Sequence, residues 1–273
     1  PGISLKSEGI SYIAGSDLPC VIVNVQRGGP GLGGIQPSQS DYWQATKASG
    51  HGDFHMLVYA PSSVQETINM TFTASDTADK YRIPAMILSD GLLGQMMEPV
   101  VFPDIKPQIP DKPWSCNGHK NKRKHNIINS LYLCPDELEK SVRARFDKYE
   151  EIKKTCTDAE VYLCEDAKIV VTSFGATSRI AKSAVDIARS KGIKAGLFRP
   201  KTLYPFPKKE LNVACEKAER VLCVEMSMGQ MIDDIKLALE CRLPVDFFGR
   251  TGGNIPSVAE ILRRIEYLAG KEQ

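Results

Sequence analysis

At 273 residues, 42% hydrophobic and 25% charged, the chain has the composition of a globular protein long enough for two separate cores. A net charge of +2 does not select nucleic acid as a partner, and no stretch reaches the roughly 18 to 20 apolar residues that a bilayer span requires. Neither nucleic acid nor membrane is therefore expected among its partners.

The chain opens on Pro1 with neither a charged n-region nor an apolar h-region, so no signal peptide is visible, and without an initiator Met it reads as a fragment. ISLKSEGISYIAG carries apolar residues at helical spacing and stops on Gly15. PCVIVNVQ then reads as a buried strand, followed by Arg27 and a loop over 28–41 that holds five glycines and two prolines. A guanidinium fixed at a strand end, beside backbone with no side chains to obstruct approach, is suited to grip a planar carboxylate through paired hydrogen bonds. That points to a small anionic substrate. Strand ends also carry solvated arginines with no further role, but a loop of this length and composition is unusual unless it works.

FHMLVYAP reads as a second strand, SVQETINMTFTASDTADKY as a long helix and IPAMILSDG as a third strand closed by Asp-Gly. Strands separated by helices of this length imply a parallel sheet with helices on its faces. Composition then shifts: residues 99–115 hold five prolines, and a charged amphipathic helix follows over 136–154. A second alternating unit begins near Glu165, with strands at AKIVVTSFG, IKAGLFRP, RVLCVEMS and LPVDFFGR. Its helices are SRIAKSAVDIARSKG, KKELNVACEKAE, MGQMIDDIKLALE and PSVAEILRRIEYLAG. The fold class is thus α/β in two domains with mainly parallel sheets, divided as 1–108, an interdomain connection at 109–160, and 161–273. The turns SFGATS and MSMGQM fall at carboxyl ends of strands, where an open sheet offers a crevice; neither matches G-x-G-x-x-G, so a docking role outweighs nucleotide binding there.

Eight cysteines lie at 20, 116, 134, 156, 164, 215, 223 and 241, and no two are three apart, so neither an iron–sulfur nor a zinc site is expected within this chain. Cysteines inside apolar runs, such as Cys223 in VLCVE, behave as small buried hydrophobes, which favours a reducing, cytoplasmic setting. The basic run HKNKRKH at 119–125 reads as a solvated connector. Ser89-Asp90-Gly91 with Asn117 imitates the spacing of a thiamin-diphosphate motif that holds Mg²⁺. However, the first Gly is Ser and IKPQIPDKPW interrupts the helical support, so Asp90-Gly91 reads as a strand-end turn and no metal ligands are assigned.

PGISLKSEGISYIAGSDLPCVIVNVQRGGPGLGGIQPSQSDYWQATKASGHGDFHMLVYAPSSVQET and YRIPAMILSDGLLGQMMEPV resemble the pyrimidine-binding domain of the thiamin-diphosphate-dependent 2-oxoacid:ferredoxin oxidoreductases, in the alpha-type subunit. LFRPKTLYPFP resembles the transketolase C-terminal-like domain of the same subunit. The variants GGPGLGGIQPSQSDYWQ and HGDFHMLVYAPSSVQE look most like the branch acting on 3-methyl-2-oxobutanoate (2-ketoisovalerate), whereas relatives acting on 2-oxoglutarate more often carry Gly-Pro-Ser-Thr-Gly in this loop. The resemblance implies oxidative decarboxylation of a 2-oxoacid to its acyl-coenzyme A, with electrons passed through iron–sulfur clusters to ferredoxin and the hard chemistry carried by thiamin diphosphate with Mg²⁺.

On that resemblance Arg27 falls on the family's carboxylate-gripping arginine. Gly28, Gly29, Gln39, Asp41, His51 and Asp53 flank the same loop, where they line the site or brace it. Glu8 reads as a helix-face residue, since the family's activating glutamate lies nearer the N-terminus, before the segment where this chain starts. The resemblance further implies that the diphosphate and Mg²⁺ are held by another subunit and the iron–sulfur clusters by partner subunits, including a gamma-type one. Alone, this fragment is then expected to be inactive. Competing readings are the 2-oxoglutarate or pyruvate branch of the same family, a beta-type part of a lipoyl-linked 2-oxoacid dehydrogenase, and a non-catalytic α/β assembly module.

Overall fold

A computed structural model describes residues 2–104 and 111–270. The first six residues of the proline-rich IKPQIPDKPW run lie outside the described residues. In chain order the first unit contains α1 (Gly2–Gly15), β1 (Cys20–Gln26), α2 (Tyr42–Thr46), β2 (Leu57–Tyr59), α3 (Val64–Tyr81) and β3 (Pro84–Asp90). After the long α4 (Pro135–Thr155) come β4 (Ala159–Tyr162), β5 (Ile169–Thr172), α5 (Thr177–Ser190), β6 (Ala195–Pro200), β7 (Thr202–Tyr204) and α6 (Lys208–Ala214). β8 (Arg220–Glu225), α7 (Met231–Ala238), β9 (Val245–Gly249) and α8 (Val258–Leu268) complete the chain.

Two sheets result, with strand orders β1-β3-β2-β7 and β4-β6-β5-β8-β9. β1, β3 and β2 run parallel, as do β6, β5, β8 and β9; β7 and β4 are antiparallel additions at the edges. β3 shows why a continuous apolar run becomes a central strand: Pro84–Asp90 is buried at every position, because helices cover both faces. α3 starts at an N-capping Ser63, whose hydroxyl accepts from the Glu66 amide, and ends at Arg82 in the left-handed region.

The expected helices and strands of both units are present. α2, β4 and β7 were not among them, and β7 has an unexpected location. Its residues belong to LFRPKTLYPFP, yet it pairs with β2 and so completes the sheet of the first unit, with Val58 opposite Tyr204 and Tyr59 opposite Thr202. The basic run at 119–125 is exposed or half-buried connector, as read from its composition.

Candidate functional site

The parallel strands of the two sheets meet at their carboxyl ends, and the loop following β1 lies between them. β1 stops because Arg27 bridges to Pro37, which closes residues 28–36 into a tight loop. The Gly28 amide donates to the Gln36 carbonyl at 2.8 Å and the Gly34 amide to the Gly28 carbonyl at 2.9 Å. Gly33 has φ +48°, and a Cβ there would collide with the Gly28 carbonyl, so only glycine completes this turn.

Arg27 stands at the strand end, as expected, but its fork faces inward. Nη1 donates to the carbonyls of Gly28 (2.8 Å), Leu32 (2.5 Å) and Gly34 (3.1 Å), and Nη2 to that of Gly31 (3.3 Å). The cation is therefore ringed by carbonyls of its own loop, while Nε takes no hydrogen-bond partner among the described residues. Beside it the side chains of Leu32 and Ile35 are 92% and 86% exposed. Gly28 is buried and Gly29 exposed.

Beneath the loop lies a buried polar layer. Gln26 accepts from the Asp41 amide at 3.0 Å and donates to the Ser89 carbonyl at 3.2 Å. The Asp41 carboxylate in turn accepts from Asn24 Nδ2 at 3.1 Å, so Asp41 braces the loop's far end against β1. Asp90, at the end of β3, accepts from the amides of Leu92 and Leu93 at 2.9 and 3.0 Å, which confirms a strand-end turn. Burial raises the Asp90 carboxyl above the usual carboxylate range, against the lowering pull of those amides and of the Ala176 amide in the second unit. Asn117, the other half of the apparent thiamin motif, instead accepts from Arg123.

Gln39 is fully buried and bonded to the second unit throughout. Its amide donates to the Phe174 carbonyl at 2.7 Å, and its Oε1 accepts from Thr177 Oγ1 and the Met226 amide, both at 3.0 Å. Gln39 thus occupies the crevice between SFGATS and MSMGQM. His51 and Asp53 are exposed and lie before the amino end of β2, whereas Arg27 follows the carboxyl end of the parallel β1; the His51 amide is tied to Ser11 of α1 at 2.9 Å. The structure therefore groups Arg27, Gly28, Gly29, Gln39 and Asp41, and leaves His51 and Asp53 apart. Glu8 is exposed on α1. Sequence reasoning missed Gln26 and Gln230; the available signal was a polar side chain at the end of an apolar run and another in the turn after β8.

A groove of about 1130 Å³ lies elsewhere, along Tyr204, Phe206 and several lysines. Two of those lysines are spent on acids within the same groove, Lys47 on Asp234 and Lys208 on Glu240. It does not include the Arg27 loop.

A family model for pyruvate flavodoxin/ferredoxin oxidoreductase, thiamine diP-binding, matches residues 1–162, and one for pyruvate:ferredoxin oxidoreductase core domain II matches 167–261. Fold and matched segments define a thiamine-diphosphate-binding 2-oxoacid oxidoreductase subunit. The chain belongs to the pyruvate flavodoxin/ferredoxin oxidoreductase family. Ketoisovalerate oxidoreductase subunit VorB of Methanothermobacter marburgensis is 47% identical over 99% of this chain and 77% of its own length. The subunit of that name from Methanothermobacter thermautotrophicus is 46% identical over 99% of this chain and 76% of its own. The 2-oxoglutarate synthase subunit KorA of the latter organism is 34% identical over 97% and 77%, respectively. A solved 2-oxoglutarate:ferredoxin oxidoreductase from Magnetococcus marinus shares the fold, with a TM-score of 0.79 at 23% identity, over 98% of this chain and 51% of that one. This chain thus spans about half of that solved chain.

Among the described residues no three His, Cys, Asp or Glu side chains gather at one place, and Asp90 is committed to backbone amides. With its carboxylate so engaged, the Ser89-Asp90-Gly91 turn does not fit the metal-bound diphosphate end of the cofactor. No helix among the described residues is long and apolar enough to cross a membrane.

Proposed function

We propose that this chain is the alpha-type subunit of an enzyme that oxidatively decarboxylates 3-methyl-2-oxobutanoate to its acyl-coenzyme A and passes the electrons to ferredoxin. The observation that carries this reading is the higher identity, across nearly the whole chain, to ketoisovalerate subunits than to 2-oxoglutarate subunits. The loop geometry supports it. A fixed guanidinium with exposed Leu32 and Ile35 beside it offers a cation and an apolar surface to an acid that has a carboxylate at one end and a branched aliphatic group at the other.

In this reading Arg27 draws the substrate carboxylate, Gly28 and Gly29 keep the approach open, and Asp41 and Gln39 brace the loop. His51 and Asp53 have no part in it. Thiamine diphosphate, when bound, supplies the carbon nucleophile and the electron sink. Its diphosphate and Mg²⁺ belong to a second subunit and the iron–sulfur clusters to gamma-type and related partners. The assembly works in the cytoplasm, a reducing setting that suits eight free cysteines.

The test is coenzyme A-dependent reduction of a low-potential viologen by the complete complex, reconstituted anaerobically with thiamine diphosphate, across a panel of 2-oxoacids. The highest kcat/KM is expected for 3-methyl-2-oxobutanoate. A preference for pyruvate or 2-oxoglutarate overturns the substrate assignment, and no reduction with any 2-oxoacid overturns the reaction.

A further inference from the structure

The second sheet has its topological switch point between β5 and β8. From β5 the chain crosses through α5 to β6 on one side, and from β8 through α7 to β9 on the other. Such a point opens a crevice at the carboxyl ends of the strands, where open α/β sheets take their ligands. Here Gln39 occupies it. The side chain bonds to the turn after β5 through Phe174 and Thr177 and to the turn after β8 through Met226, so one carboxamide spans both walls.

We propose that this crevice takes the substrate loop itself as its ligand, and that Gln39 is the positioning residue through which the second unit sets the geometry of Arg27. This rests on the reading of Arg27 as the carboxylate-binding group.

Three further observations carry the argument. Contacts flank Gln39 on both sides: Ser38 Oγ donates to the Met226 carbonyl at 3.3 Å, and Gln230 Nε2 donates to the Ser40 carbonyl at 2.8 Å while its Oε1 accepts from the Trp43 amide at 2.9 Å. The wall they grip is itself rigid. Glu225, with no exposed surface, accepts from the amides of Gln230, Met231 and Ile232 and from Ser227 Oγ, which fixes the turn after β8 and the start of α7. The fit is also tight, because Gly175 has φ +58° and a Cβ there would sit 3.0 Å from Gln39 Nε2. Since the loop joins Arg27 to Gln39 through only eleven intervening residues closed by the Arg27–Pro37 bridge, a displacement at Gln39 is passed to the guanidinium.

The experiment is a double-mutant cycle in the assembled enzyme with Gln39→Met, Arg27→Ala and the double variant, read as KM and kcat for 3-methyl-2-oxobutanoate in viologen reduction, with hydrogen exchange at the Gly28 and Gly34 amides. Gln39→Met is expected to raise KM about tenfold or more with a smaller change in kcat, as a misplacement near 1 Å would. It should add nothing in the Arg27→Ala background, and exchange at both amides should quicken. An unchanged KM, or equal effects in the two backgrounds, overturns the proposal, because a merely structural glutamine acts independently of Arg27. If Arg27→Ala alone leaves KM unchanged, the carboxylate reading falls; the exchange data then decide the seat by themselves, and unchanged protection in Gln39→Met overturns it. Should Gln39→Met fail to assemble, Thr177→Val, which removes one donor to Gln39, enters the same cycle under the same criteria.

Discussion

Arg199 and Glu66 form a two-pronged ion pair between the two units. Nη1 and Nη2 of the arginine donate to the two carboxylate oxygens at 2.8 and 2.7 Å, from β6 to the first turn of α3. The arginine side chain is only 3% exposed, and its Nε also reaches Glu160 at 2.9 Å. Burial alone would raise the Glu66 carboxyl, but hydrogen bonds from Arg199 and Ser62 outweigh it and hold the group at about 2. A carboxyl depressed in the folded state stabilises fully above its unfolded value and loses that contribution as pH falls through the folded one. The stability gap between the native protein and Glu66→Gln, measured by urea unfolding, should therefore be full above about pH 5 and shrink as pH falls towards 2, with about 1.5–3 kcal/mol at neutral pH. A gap that does not change with pH would detach the effect from this carboxylate.

Arg27→Lys keeps the charge but loses the planar fork. An ammonium cannot serve four carbonyls spread around the loop, so the loop should loosen and KM for the 2-oxoacid should rise on the order of tenfold or more in the assembled enzyme. Equal KM in the two proteins would mean that only charge matters at this position.

Gly33→Ala tests the turn. Its positive φ and the crowding against Gly28 predict loss of the loop's closure, seen as faster exchange at Gly34 and lower kcat/KM. The loop is largely exposed, so the unfolding midpoint should move little. A large drop in that midpoint would place the loop in the folding core.

Tyr42 and Lys47 share the buried Asp234 carboxylate, the phenol at 2.5 Å and the ammonium at 2.6 Å, but they should not matter equally. Tyr42 is fully buried, so Tyr42→Phe leaves a buried acceptor short of a donor and should cost about 1–3 kcal/mol. Lys47 is half exposed, and Lys47→Met should cost under about 1 kcal/mol. Chemical denaturation of both variants checks the order, and a reversed order would refute it.

Patterns of adjacent residues made much of this architecture legible. The β-branched run into Arg27, the helix over SVQETINMTFTASDTADKY and the Asp90 turn all depend on neighbours in sequence, and the structure has them where they were expected. What was not legible depends on distant partners. β7 is three residues long and lies among prolines, and its pairing is supplied by β2, far back in the chain. Gln39 read as a loop residue that lines the site or braces it, and nothing near it in sequence reveals Phe174, Thr177 or Met226 as the partners it braces against. His51 and Asp53 looked close to Arg27 because about ten residues separate them from its loop, yet α2 and the path to the start of β2 carry them to the amino end of that strand, away from the carboxyl end of β1 where Arg27 stands.

The placement of β7 also bears on how such chains can be exchanged. A chimera joined in the stretch between the two family matches, at 163–166, would import one edge strand of the first sheet along with the second unit, so that β2 would face a foreign partner. Arg199 would arrive with it, opposite a Glu66 that it did not evolve beside. The halves are interwoven, and a crossover that keeps the first sheet intact has to fall after Tyr204.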